Sequence, residues 1–556
     1  PMEENLNIGE FEVMGQTVSP KGQVIRKMPS GKTKLRESPL RTDRFGEIYE
    51  PAILSTEDPR NPDKIDPYLK NVDKWNIKRP KQDREGIQEE FREMGKWYAT
   101  LFRNHNLKTV TLTVDESVNR HTGYINSNPI YLHTSAGFPY NTWKNVRHKW
   151  PMLEFDEKLE RYRINKASPE GYLLQLHVEY LMRQAKRGQK VAVVFDVNLK
   201  DEALPQRKID DVKTRSIVAC PLDFTIVHRQ LVHTVGACLM ETRAWHPIKV
   251  GIAPNTIEWH DLFLNLTEHT QHGFDADYKS WDAKVTEEEI SGLAEFYSTV
   301  QSILNPDWTE ADTIAIRTLY SSLSIPLITR RDMIVRSIGG LISGESMTGI
   351  DNSLLNLRKM WHCWKSYIDK EQPQAIERKE LDYFINNVKC CFNGDDHIVM
   401  PPPQDPLFCF EFVREHMMRM YNVEYTPADK VSGGSNKHIT EMTFLKRHFI
   451  VKPEFGGYVS GGLVDEAFSK LTGTTKVQKS EPYHTGVEFE HTTFMQTIET
   501  YLLESCLRGR AFYNTTIKHV TEVCDKYSLE LPHFMSFQSC FNLVYHSSKH
   551  LVNSFI

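Results

Sequence analysis

Two adjacent carboxylates occupy a tight turn between apolar residues in the segment Phe-Asn-Gly-Asp-Asp-His-Ile-Val, residues 392–399. An Asn-Gly pair between apolar runs is typical of a type I′ turn, so Asn393 and Gly394 predict a β-hairpin with Asp395 and Asp396 at its tip. A Gly-Asp-Asp triplet arises by chance in a chain of this length with a probability of about 0.1. A plain hairpin turn is therefore the alternative until other residues decide.

A third acid, Asp277, ends a predicted strand at residues 274–278. Two divalent cations about 4 Å apart can activate an attacking hydroxyl and stabilise a leaving phosphate oxygen when carboxylates from separate segments converge on them. Asp277 and Asp395 are therefore candidate metal ligands, and nucleotidyl transfer is the chemistry to test. Asp282 lies in the turn after this strand, where a turn or capping aspartate is the alternative interpretation.

Two predicted helices follow these acids along the chain. Thr286 and Glu289 fit a capping box in front of residues whose spacing predicts one buried helical face. The second helix follows the glycine-rich segment 339–349 and carries Thr348 and Asn352 four positions apart, on one face. We expect that face to look into the same cleft as the acids. The alternative is a flexible loop in front of a core helix.

Length and composition predict a globular protein of several subdomains. The 556 residues exceed what one hydrophobic core usually supports, and 40% hydrophobic with 25% charged residues is ordinary for such a protein. Nine cysteines without a Cys-x-x-Cys pair indicate reduced, buried thiols rather than a zinc ribbon or a disulfide framework. The first residues resemble no signal peptide and no apolar run reaches the length of a membrane span, so an intracellular protein is expected.

The net charge of −5 hides two basic stretches. Residues 21–44 contain eight Lys or Arg against two acids, and residues 200–215 contain five basic residues in sixteen. Phosphate binding needs a local basic surface and not a basic total. Each stretch is therefore a candidate nucleic-acid or nucleotide contact, with a solvated charged face as the alternative.

Taken together, these patterns resemble the RNA-directed RNA polymerases of picornaviruses and their relatives among the picorna-like viruses. Further segments near the N-terminus, residues 32–35, 50–54 and 58–60, also resemble that family, so the similarity spans about residues 30 to 450. An arthropod virus of the dicistrovirus or iflavirus kind is one expectation. The family's motifs appear in order at residues 134–139, 200–202 with 208 and 213–215, 277 with 282, 343–352, 394–396, 426–430 and 443–447.

The resemblance implies an α+β fold shaped as a closed right hand. Fingers are expected at residues 1–233 and again at 318–341, a palm of antiparallel sheet plus helices at 234–317 and 342–454, and a helical thumb at 455–556. The N-terminal segment is expected to bridge fingers and thumb. Residues 494–507 have helical periodicity, and the aromatic residues 534–545 favour a core helix over a partner surface.

The resemblance also implies roles for the acids and the basic residues. Asp277 and Asp395 would ligate two Mg²⁺ ions, for which Mn²⁺ would serve as a substitute, with Asp396 supporting them. Lys430 would act as general acid to the departing pyrophosphate, a surface lysine being the alternative. The basic residues expected to bind the nucleotide triphosphate are Lys200, Lys208 and Arg215, with Lys213 contributing less directly.

Sugar selection is expected from Asp282 and Asn352, because a ribose 2′-hydroxyl would complete their hydrogen-bond network and a deoxyribose would leave it unpaired. Ser343 and Thr348 would tune this network and the template path, beside Gly344. Lys446 and Arg447 would hold the backbone of the nascent strand without reading sequence. The template entrance is expected at Thr134, Ser135, Ala136 and Gly137.

Expected partners are the RNA template, the nascent RNA, ribonucleoside triphosphates, a genome-linked protein primer and other viral replication proteins. The expected location is the host cytoplasm, at membrane-associated replication complexes. Three positions depart from the family pattern: Asn393 stands where tyrosine is usual, and Glu345 and Asp351 add acids to the glycine-rich loop and its helix. Two alternatives of other classes stay open, a reverse transcriptase or DNA-templated polymerase and an inactive RNA-binding scaffold.

Overall fold

The computed structural model describes residues 9–546 apart from 19–21, 26–30, 120, 122, 125, 147, 431–433, 435 and 477–490. Part of the basic stretch 21–44, including Lys21, Arg26 and Lys27, therefore lies outside the described residues. No helix in the described part of the chain is both long enough and apolar enough to cross a bilayer.

The helices of the described residues are α1 (Pro67–Val72), α2 (Arg84–Asn104), α3 (Val114–Val118), α4 (Pro169–Lys186), α5 (Gln206–Asp210), α6 (Leu222–Glu241), α7 (Glu258–Leu266), α8 (Trp281–Lys284), α9 (Glu287–Leu304), α10 (Glu310–Ser324), α11 (Thr348–Glu371), α12 (Leu381–Asn387), α13 (Phe410–Tyr421), α14 (Asp465–Gly473), α15 (His491–Cys506), α16 (Arg510–Tyr527) and α17 (Phe537–Tyr545).

The strands are β1 (Glu12–Gln16), β2 (Leu35–Glu37), β3 (Tyr49–Pro51), β4 (Leu153–Asp156), β5 (Arg161–Ile164), β6 (Val194–Leu199), β7 (Ala203–Pro205), β8 (Ser216–Ala219), β9 (His272–Tyr278), β10 (Leu327–Arg330), β11 (Met333–Arg336), β12 (Lys389–Asn393), β13 (Asp396–Met400), β14 (Tyr425–Pro427), β15 (Lys437–His438), β16 (Thr443–Phe444), β17 (Arg447–Val451), β18 (Val459–Leu463) and β19 (Thr474–Lys476).

A central sheet carries the predicted hairpin beside the strand that ends at Asp277. Its order is β12-β13-β9-β14, and β15 also pairs with β9. Strand β9 runs antiparallel to β13, with Ala276 opposite His397, and antiparallel to β14, with Asp277 opposite Thr426. This register brings the carboxyl-terminal end of β9 and the tip of the β12–β13 hairpin to the same edge of the sheet.

The hairpin is where the sequence predicted it, but its turn lies one residue further along. Asn393 pairs with Asp396, so Gly394 and Asp395 form the two-residue connection. Gly394 has φ of 68°, whereas Asp395 is not among the residues with positive φ. A positive φ at the first central residue alone is typical of a type II′ turn, so the predicted type I′ turn at Asn393-Gly394 was wrong.

Helices α9 and α11 pack behind the central sheet. The predicted capping box at the start of α9 is confirmed, because Thr286 Oγ1 accepts from the Glu289 backbone N–H while the Glu289 carboxylate accepts from the Thr286 backbone N–H. Glu289 is fully buried and also pairs with Arg358 and Lys359 of α11, at 2.6 and 3.1 Å. These contacts fix the two helices against each other beneath the strand end.

A second sheet, here called the N-terminal sheet, has the order β1-β11-β10-β6-β8. Strands β10 and β11 come from residues 318–341, and they pair with strands from the first 233 residues. The segment 318–341 thus returns to the region that precedes the central sheet, as the resemblance implied. The exact domain boundaries stay predictions.

The N-terminal residues 35–54, here called the bridge segment, join distant parts of the chain. Within it, β2 pairs with β19 and β3 pairs with β7. Phe45 stacks on Phe468 with ring centroids 5.3 Å apart. The Tyr49 hydroxyl donates to Glu466 at 2.6 Å. The bridge segment therefore contacts both the region of β7 and the C-terminal helices, as the sequence predicted.

The C-terminal helices α15, α16 and α17 share one hydrophobic core. Phe494, Tyr501, Phe537 and Phe541 are all buried in it. The prediction of a core helix within residues 534–545 is confirmed for Phe537–Tyr545, whereas residues 534–536 precede the helix. The nine cysteines are all free, and Cys390 and Cys391 fill buried positions of β12 as expected.

Candidate active site

The structure brings Asp277, Asp395 and Asp396 to one edge of the central sheet. Asp277 and Asp395 are exposed to the cleft, whereas Asp396 is half-buried. The Asp396 carboxylate accepts from the backbone N–H of Leu445 at 2.7 Å. Asp396 therefore faces the β16–β17 turn, and Asp277 and Asp395 are the two carboxylates free to meet a ligand in the cleft.

Burial raises the pKa of each of these three acids. For Asp395 the like charge of Asp277 adds to the effect. The pKa of Asp396 is raised to about 7, through burial and through the charges of both neighbours. Burial raises the pKa of Asp277 as well, although Lys446 and Lys430 oppose this. Acids that raise one another's pKa in this way form a site of negative potential that a cation would stabilise.

The carboxylate oxygens of Asp277 and Asp395 suit a hard divalent cation, but the described residues provide only part of its ligands. Across the described ranges, no three His, Cys, Asp or Glu side chains are arranged as a metal-binding group. Two protein carboxylates with water and substrate phosphate oxygens are a common way of holding Mg²⁺. Asp277 and Asp395 are suited to that arrangement, whereas the contact of Asp396 with Leu445 suits a supporting role.

Helix α11 holds the hairpin turn through side chains that the sequence analysis missed. Ser353 Oγ accepts from the Gly394 N–H at 2.8 Å. Asn356 Nδ2 donates to the carbonyls of Gly394 and Asp395 at 3.1 and 3.2 Å, and its Oδ1 accepts from the Tyr278 hydroxyl at 2.9 Å. The amide of Asn356 thus links the residue after Asp277 to the backbone that carries Asp395. The sequence could have indicated this contact, because Asn356 lies one helical turn after Asn352 and therefore on the same face of α11.

Asp282 and Asn352 both reach the cleft, but they do not hydrogen-bond to each other. Asn352 Oδ1 instead accepts from the indole N–H of Trp281 at 2.5 Å. The pKa of Asp282 is raised to about 6, first by the surrounding protein and then by the charge of Asp395, against the effect of Arg215. The charges of both Asp395, on the hairpin turn, and Arg215 therefore act on Asp282.

The basic stretch 200–215 provides one wall of the cleft. Arg215 forms a bidentate pair with the buried Glu202, with nitrogen to oxygen distances of 2.6 and 2.5 Å. Lys200 Nζ lies 3.5 Å from the same carboxylate. Burial lowers the pKa of Lys208, and Arg215 and Lys430 act in the same direction. These cations therefore gather on one surface, with Glu202 fixing the Arg215 guanidinium.

Lys213 lies apart from that surface. Its ammonium pairs with Asp211 at 2.5 Å. Its charge also helps to lower the pKa of Lys74, for which burial is the larger cause. The structure therefore places Lys213 on the side of Lys74, and its contribution to nucleotide binding stays a prediction.

Lys430 and Lys446 both lie on exposed turns near Asp277, whose pKa they lower. Leu445 and Lys446 have φ of 52° and 58° and form the two-residue turn between β16 and β17. Non-glycine residues in this conformation cost about 1–2 kcal/mol each. The hydrogen bond from Leu445 to Asp396 holds this turn, so it also holds Lys446 beside the acids.

Arg447 does not lie in the cleft. Its guanidinium is buried and forms a bidentate pair with Glu504 of α15, at 2.7 and 2.8 Å. It also donates to the Gly461 carbonyl at 2.7 Å. A nucleic-acid phosphate would have to displace Glu504 to reach it. The expectation of an RNA contact is therefore corrected for Arg447 and kept for Lys446, because Arg447 joins α15 to the β17–β18 pair.

The expected template-entrance residues divide into a surface pair and a buried pair. Thr134 is exposed and Ser135 is half-exposed, whereas Ala136 and Gly137 are buried. A Cβ on Gly137 would lie 2.6 Å from the Cys220 carbonyl, so only glycine fits there. Thr134 and Ser135 are thus the members of this set that a ligand can touch.

The glycine-rich loop docks on β8 through Ser343 and Gly344. Ser343 Oγ accepts from the Val218 N–H at 3.0 Å, and a Cβ on Gly344 would lie 2.4 Å from the Val218 carbonyl. The hydroxyl of Thr348 donates back to the Glu345 carbonyl at 2.9 Å. Ser343, Gly344 and Thr348 therefore shape the loop that precedes Asn352.

The two unusual acids of this loop and helix are buried beneath it. Asp351 accepts from the hydroxyls of Tyr297 and Tyr320 at 2.6 and 2.8 Å. Glu345 Oε2 accepts from the Met347 N–H at 2.6 Å. Burial raises the pKa of Glu345 well above its usual value, and Asp351 adds to this; the pKa of Asp351 is itself raised to about 7 by burial.

A sequence model described as viral RNA-dependent RNA polymerase matches residues 41–525 of this chain. The RNA1 polyprotein of Tomato torrado virus is 27% identical over 442 residues, which cover 78% of this chain and 20% of that polyprotein. The genome polyprotein of Rice tungro spherical virus (strain Vt6) is 27% identical over 515 residues, covering 89% of this chain and 14% of the polyprotein.

Deformed wing virus provides another relative, a genome polyprotein 29% identical over 336 residues that cover 58% of this chain and 11% of the polyprotein. The matched residues thus span a fifth or less of the length of each of these three polyproteins. The relatives include viruses named for tomato and rice as well as Deformed wing virus, so these similarities do not favour an arthropod virus over a plant virus.

Among solved structures, a Sicinivirus 3Dpol RNA dependent RNA polymerase superposes with a TM-score of 0.72 at 20% sequence identity. The superposition covers 96% of this chain and 100% of that one. At this identity the likeness concerns the fold. It confirms the predicted fold class, a right-hand arrangement of fingers, palm and thumb.

Proposed function

The chain belongs to the viral RNA-dependent RNA polymerases, and we propose that it synthesises RNA on an RNA template by two-metal nucleotidyl transfer with release of pyrophosphate. The observation that carries this proposal is the placement of Asp277 and Asp395 at one sheet edge, opposite the cations around Arg215. Carboxylates and cations so arranged fit a triphosphate with its metal ions.

Asp277 and Asp395 would hold the metal ions. Mg²⁺ bound there would lower the pKa of a primer 3′-hydroxyl and neutralise the triphosphate, and Mn²⁺ would serve as a substitute. Asp396 would hold the β16–β17 turn against them. Tyr278 and Asn356 would fix the backbone on which the two ligands are carried.

The cations of the cleft wall would bind the nucleotide. Arg215, oriented by Glu202, presents guanidinium donors to the triphosphate, with Lys208 and Lys200 beside it. Lys430 would donate a proton to the departing pyrophosphate. It lies on an exposed turn, and its charge lowers the pKa of both Asp277 and Lys208, so it is close to both sides of the cleft. Lys446 would bind the backbone of the nascent strand.

Ribose selection would come from Asp282 and Asn352 at the edge of the same cleft. A ribose hydroxyl that bridges them would be retained, whereas a deoxyribose would leave both groups unpaired and be disfavoured. Thr134 and Ser135 would border the template path.

The biological setting proposed for this activity is the replication of a positive-strand RNA virus genome, with a genome-linked protein as primer. Other viral replication proteins would be its partners, at membrane-associated complexes in the host cytoplasm. The support for this setting is the similarity to viral polyproteins, each of which extends well beyond this chain.

The test is primer extension on an RNA template with ribonucleotides and Mg²⁺. Asp395→Asn is expected to abolish extension because it removes a carboxylate from the proposed metal site. Asp525→Asn, which alters an exposed acid on α16, serves as the matched control and should extend like the wild type. Wild-type chain that extends no primer, or Asp395→Asn with full activity, would end the proposal.

The role of Lys430 has its own test. Lys430→Leu should slow single-nucleotide incorporation by roughly tens of fold, the scale for loss of a positioned proton donor, in rapid-quench kinetics at saturating nucleotide. Lys452→Leu, on a half-exposed residue directly after β17, is the control. A rate for Lys430→Leu within about twofold of the wild type would show that Lys430 is not the proton donor to pyrophosphate.

The two rival functions give different results in the same assay. A reverse transcriptase would extend the primer with deoxynucleotides at least as well as with ribonucleotides. An inactive scaffold would bind RNA but extend nothing with either set. Asp282 and Asn352, which could both hydrogen-bond to a ribose hydroxyl, favour ribonucleotides.

A further inference from the structure

The indole of Trp281 determines which way the Asn352 amide points. An indole N–H can only donate, so its bond of 2.5 Å must end on the amide oxygen of Asn352. The Nδ2 group, with its two donors, then points away from Trp281. Asn352 also lies beside the turn of the β12–β13 hairpin, since a Cβ on Gly394 would be 3.9 Å from the Asn352 Cβ.

The Trp281 ring is held on several sides. It is buried and lies against Tyr278, with ring centroids 4.5 Å apart. The Lys359 ammonium lies 4.8 Å from the ring centroid and is itself fixed by Glu289 at 3.1 Å. Because these neighbours are buried parts of α9, α11 and β9, the indole cannot turn without disturbing the core. Its N–H is therefore a rigid reference for the amide.

Two groups of opposite hydrogen-bonding character are left facing the cleft. Within the described residues, no protein acceptor is in hydrogen-bond range of Asn352 Nδ2, and no protein donor is in range of the Asp282 carboxylate. A hydroxyl can accept one hydrogen bond and donate another. A single hydroxyl placed between these two residues would satisfy both.

We propose that Trp281 is a positioning residue for sugar selection: by holding Asn352 Oδ1, it presents the Asn352 N–H groups to the ribose 2′-hydroxyl, which in turn donates to Asp282. This inference rests on the proposed function. If the amide were free to rotate, its oxygen would face the cleft part of the time and would meet the Asp282 carboxylate as acceptor against acceptor. The selection then depends on an indole that never touches the nucleotide.

The test compares CTP with dCTP in single-nucleotide incorporation, with kcat and KM measured separately. Trp281→Phe keeps an aromatic ring but removes the N–H. It is expected to lower the ratio of kcat/KM for CTP over dCTP by about 5- to 100-fold, the range for loss of one matched hydrogen bond. The loss should fall on CTP, with dCTP changed by less than about threefold.

Trp364→Phe is the matched control. Its indole N–H also donates to a protein oxygen, the Arg378 carbonyl at 2.7 Å, from the same helix that carries Asn352. It should leave the CTP to dCTP ratio within about twofold of the wild type. If Trp281→Phe does not fold, as judged by thermal unfolding, Trp281 replaced by benzothienylalanine removes the N–H while keeping the bicyclic shape.

A double-mutant cycle with Asn352→Ala decides whether Trp281 acts through Asn352. In the Asn352→Ala background, Trp281→Phe should not change the ratio further. An unchanged ratio in Trp281→Phe alone, or the same loss in both backgrounds, would overturn the inference. Failure of the proposed function would look different, because the wild-type chain would then incorporate neither nucleotide.

Discussion

At the scale of single residues, the acids buried under the glycine-rich loop are the least expected feature of the chain. His228 Nδ1 lies 3.5 Å from Glu345, but burial lowers its pKa to about 3, so it supplies no positive charge near neutral pH. Glu345 Oε1 has no hydrogen-bond partner in the part of the chain that the structure describes. Two acids without a countercharge stabilise the fold only while they keep their protons.

The pH dependence of stability follows from this pair. An acid whose pKa is higher in the folded than in the unfolded chain binds more protons when folded, so the free energy of unfolding falls as pH rises from its unfolded pKa to its folded pKa. For Asp351 that window runs from the ordinary value of 3.8 to about 7. The raised pKa of Glu345 changes the free energy of unfolding in the same direction.

Glu345→Gln should therefore raise the melting temperature relative to wild type at pH 8, and by more than it does at pH 5.5. The melting temperature should rise by about 1 °C per kcal/mol of relieved cost, because the entropy of unfolding grows with chain length, and the shift is measured by thermal unfolding at both pH values. The exposed Glu415 provides the control, because Glu415→Gln removes a surface acid on α13 and should shift both melting temperatures little. Equal shifts for Glu345→Gln at the two pH values would contradict the account.

Residue contacts were predictable from the sequence only where they are local. Thr286 and Glu289 are three positions apart in one helical turn, so their reciprocal capping needs no knowledge of the rest of the fold. Arg447 and Glu504 are 57 positions apart, and nothing in the motif around Arg447 indicates that its guanidinium turns toward α15. The motif position of Arg447 predicted a positive charge near the cleft. Its guanidinium instead pairs with Glu504 of α15, a helix that the motif does not include.

At the scale of elements, helix α11 connects the residues proposed for sugar selection with the turn proposed to hold the metal ions. Asn352, Ser353 and Asn356 lie within two turns of α11, and all three contact the site. Ser353 and Asn356 hydrogen-bond to the hairpin backbone, and Asn352 bonds to Trp281 beside Asp282. A displacement of α11 would therefore move the turn and the sugar contacts together.

Asn356→Leu tests this connection with a readout independent of RNA synthesis. Loss of the amide frees the Gly394 and Asp395 carbonyls, so the turn that carries Asp395 is held less firmly. Outer contacts of this kind are worth about 10- to 100-fold in metal affinity. We expect Mn²⁺ binding, measured by calorimetry or electron paramagnetic resonance, to weaken by about tenfold.

The matched control for that test is Asn387→Leu, because Asn387 also donates to a backbone carbonyl, that of Tyr383, but at the end of α12. It should bind Mn²⁺ as the wild type does. Equal Mn²⁺ affinity in Asn356→Leu and wild type would show that the hairpin holds its shape without this amide.

The elements themselves were predictable to different degrees. The hairpin follows from two apolar runs around Gly394, since only a glycine-containing turn suits so short a connection. The register of the turn could not be predicted from the sequence. The pairing of Asn393 with Asp396 depends on the strands and on the hydrogen bond between Ser353 and Gly394. The sheet order β12-β13-β9-β14 was expected only through resemblance, since it joins segments far apart along the chain.

At the scale of the whole molecule, the bridge segment closes the chain on itself. It forms short strands with β7 on one side and with β19 on the other. Asp201, in the connection between β6 and β7, accepts from the Thr33 hydroxyl and from the Lys34 backbone N–H, both at 2.7 Å. The segment that carries Lys200, Lys208 and Arg215 is thus tied through residues 33–54 to the C-terminal helices, so the cleft is bounded on more than one side.

Phe45→Ala should loosen this closure without touching the chemistry. Phe45 is buried between Phe468 and Phe512, and a Phe→Ala change in a core costs about 3–5 kcal/mol. Since about 1.4 kcal/mol already changes an equilibrium tenfold, the bridge segment should detach far more often. We expect the half-life of the stalled complex on RNA to fall by about tenfold, while incorporation of one nucleotide stays within about twofold. Phe155→Ala, on a side chain 49% exposed in β4, should alter neither quantity. A complex that survives as long in Phe45→Ala as in the wild type would mean that RNA is retained by the cleft cations alone.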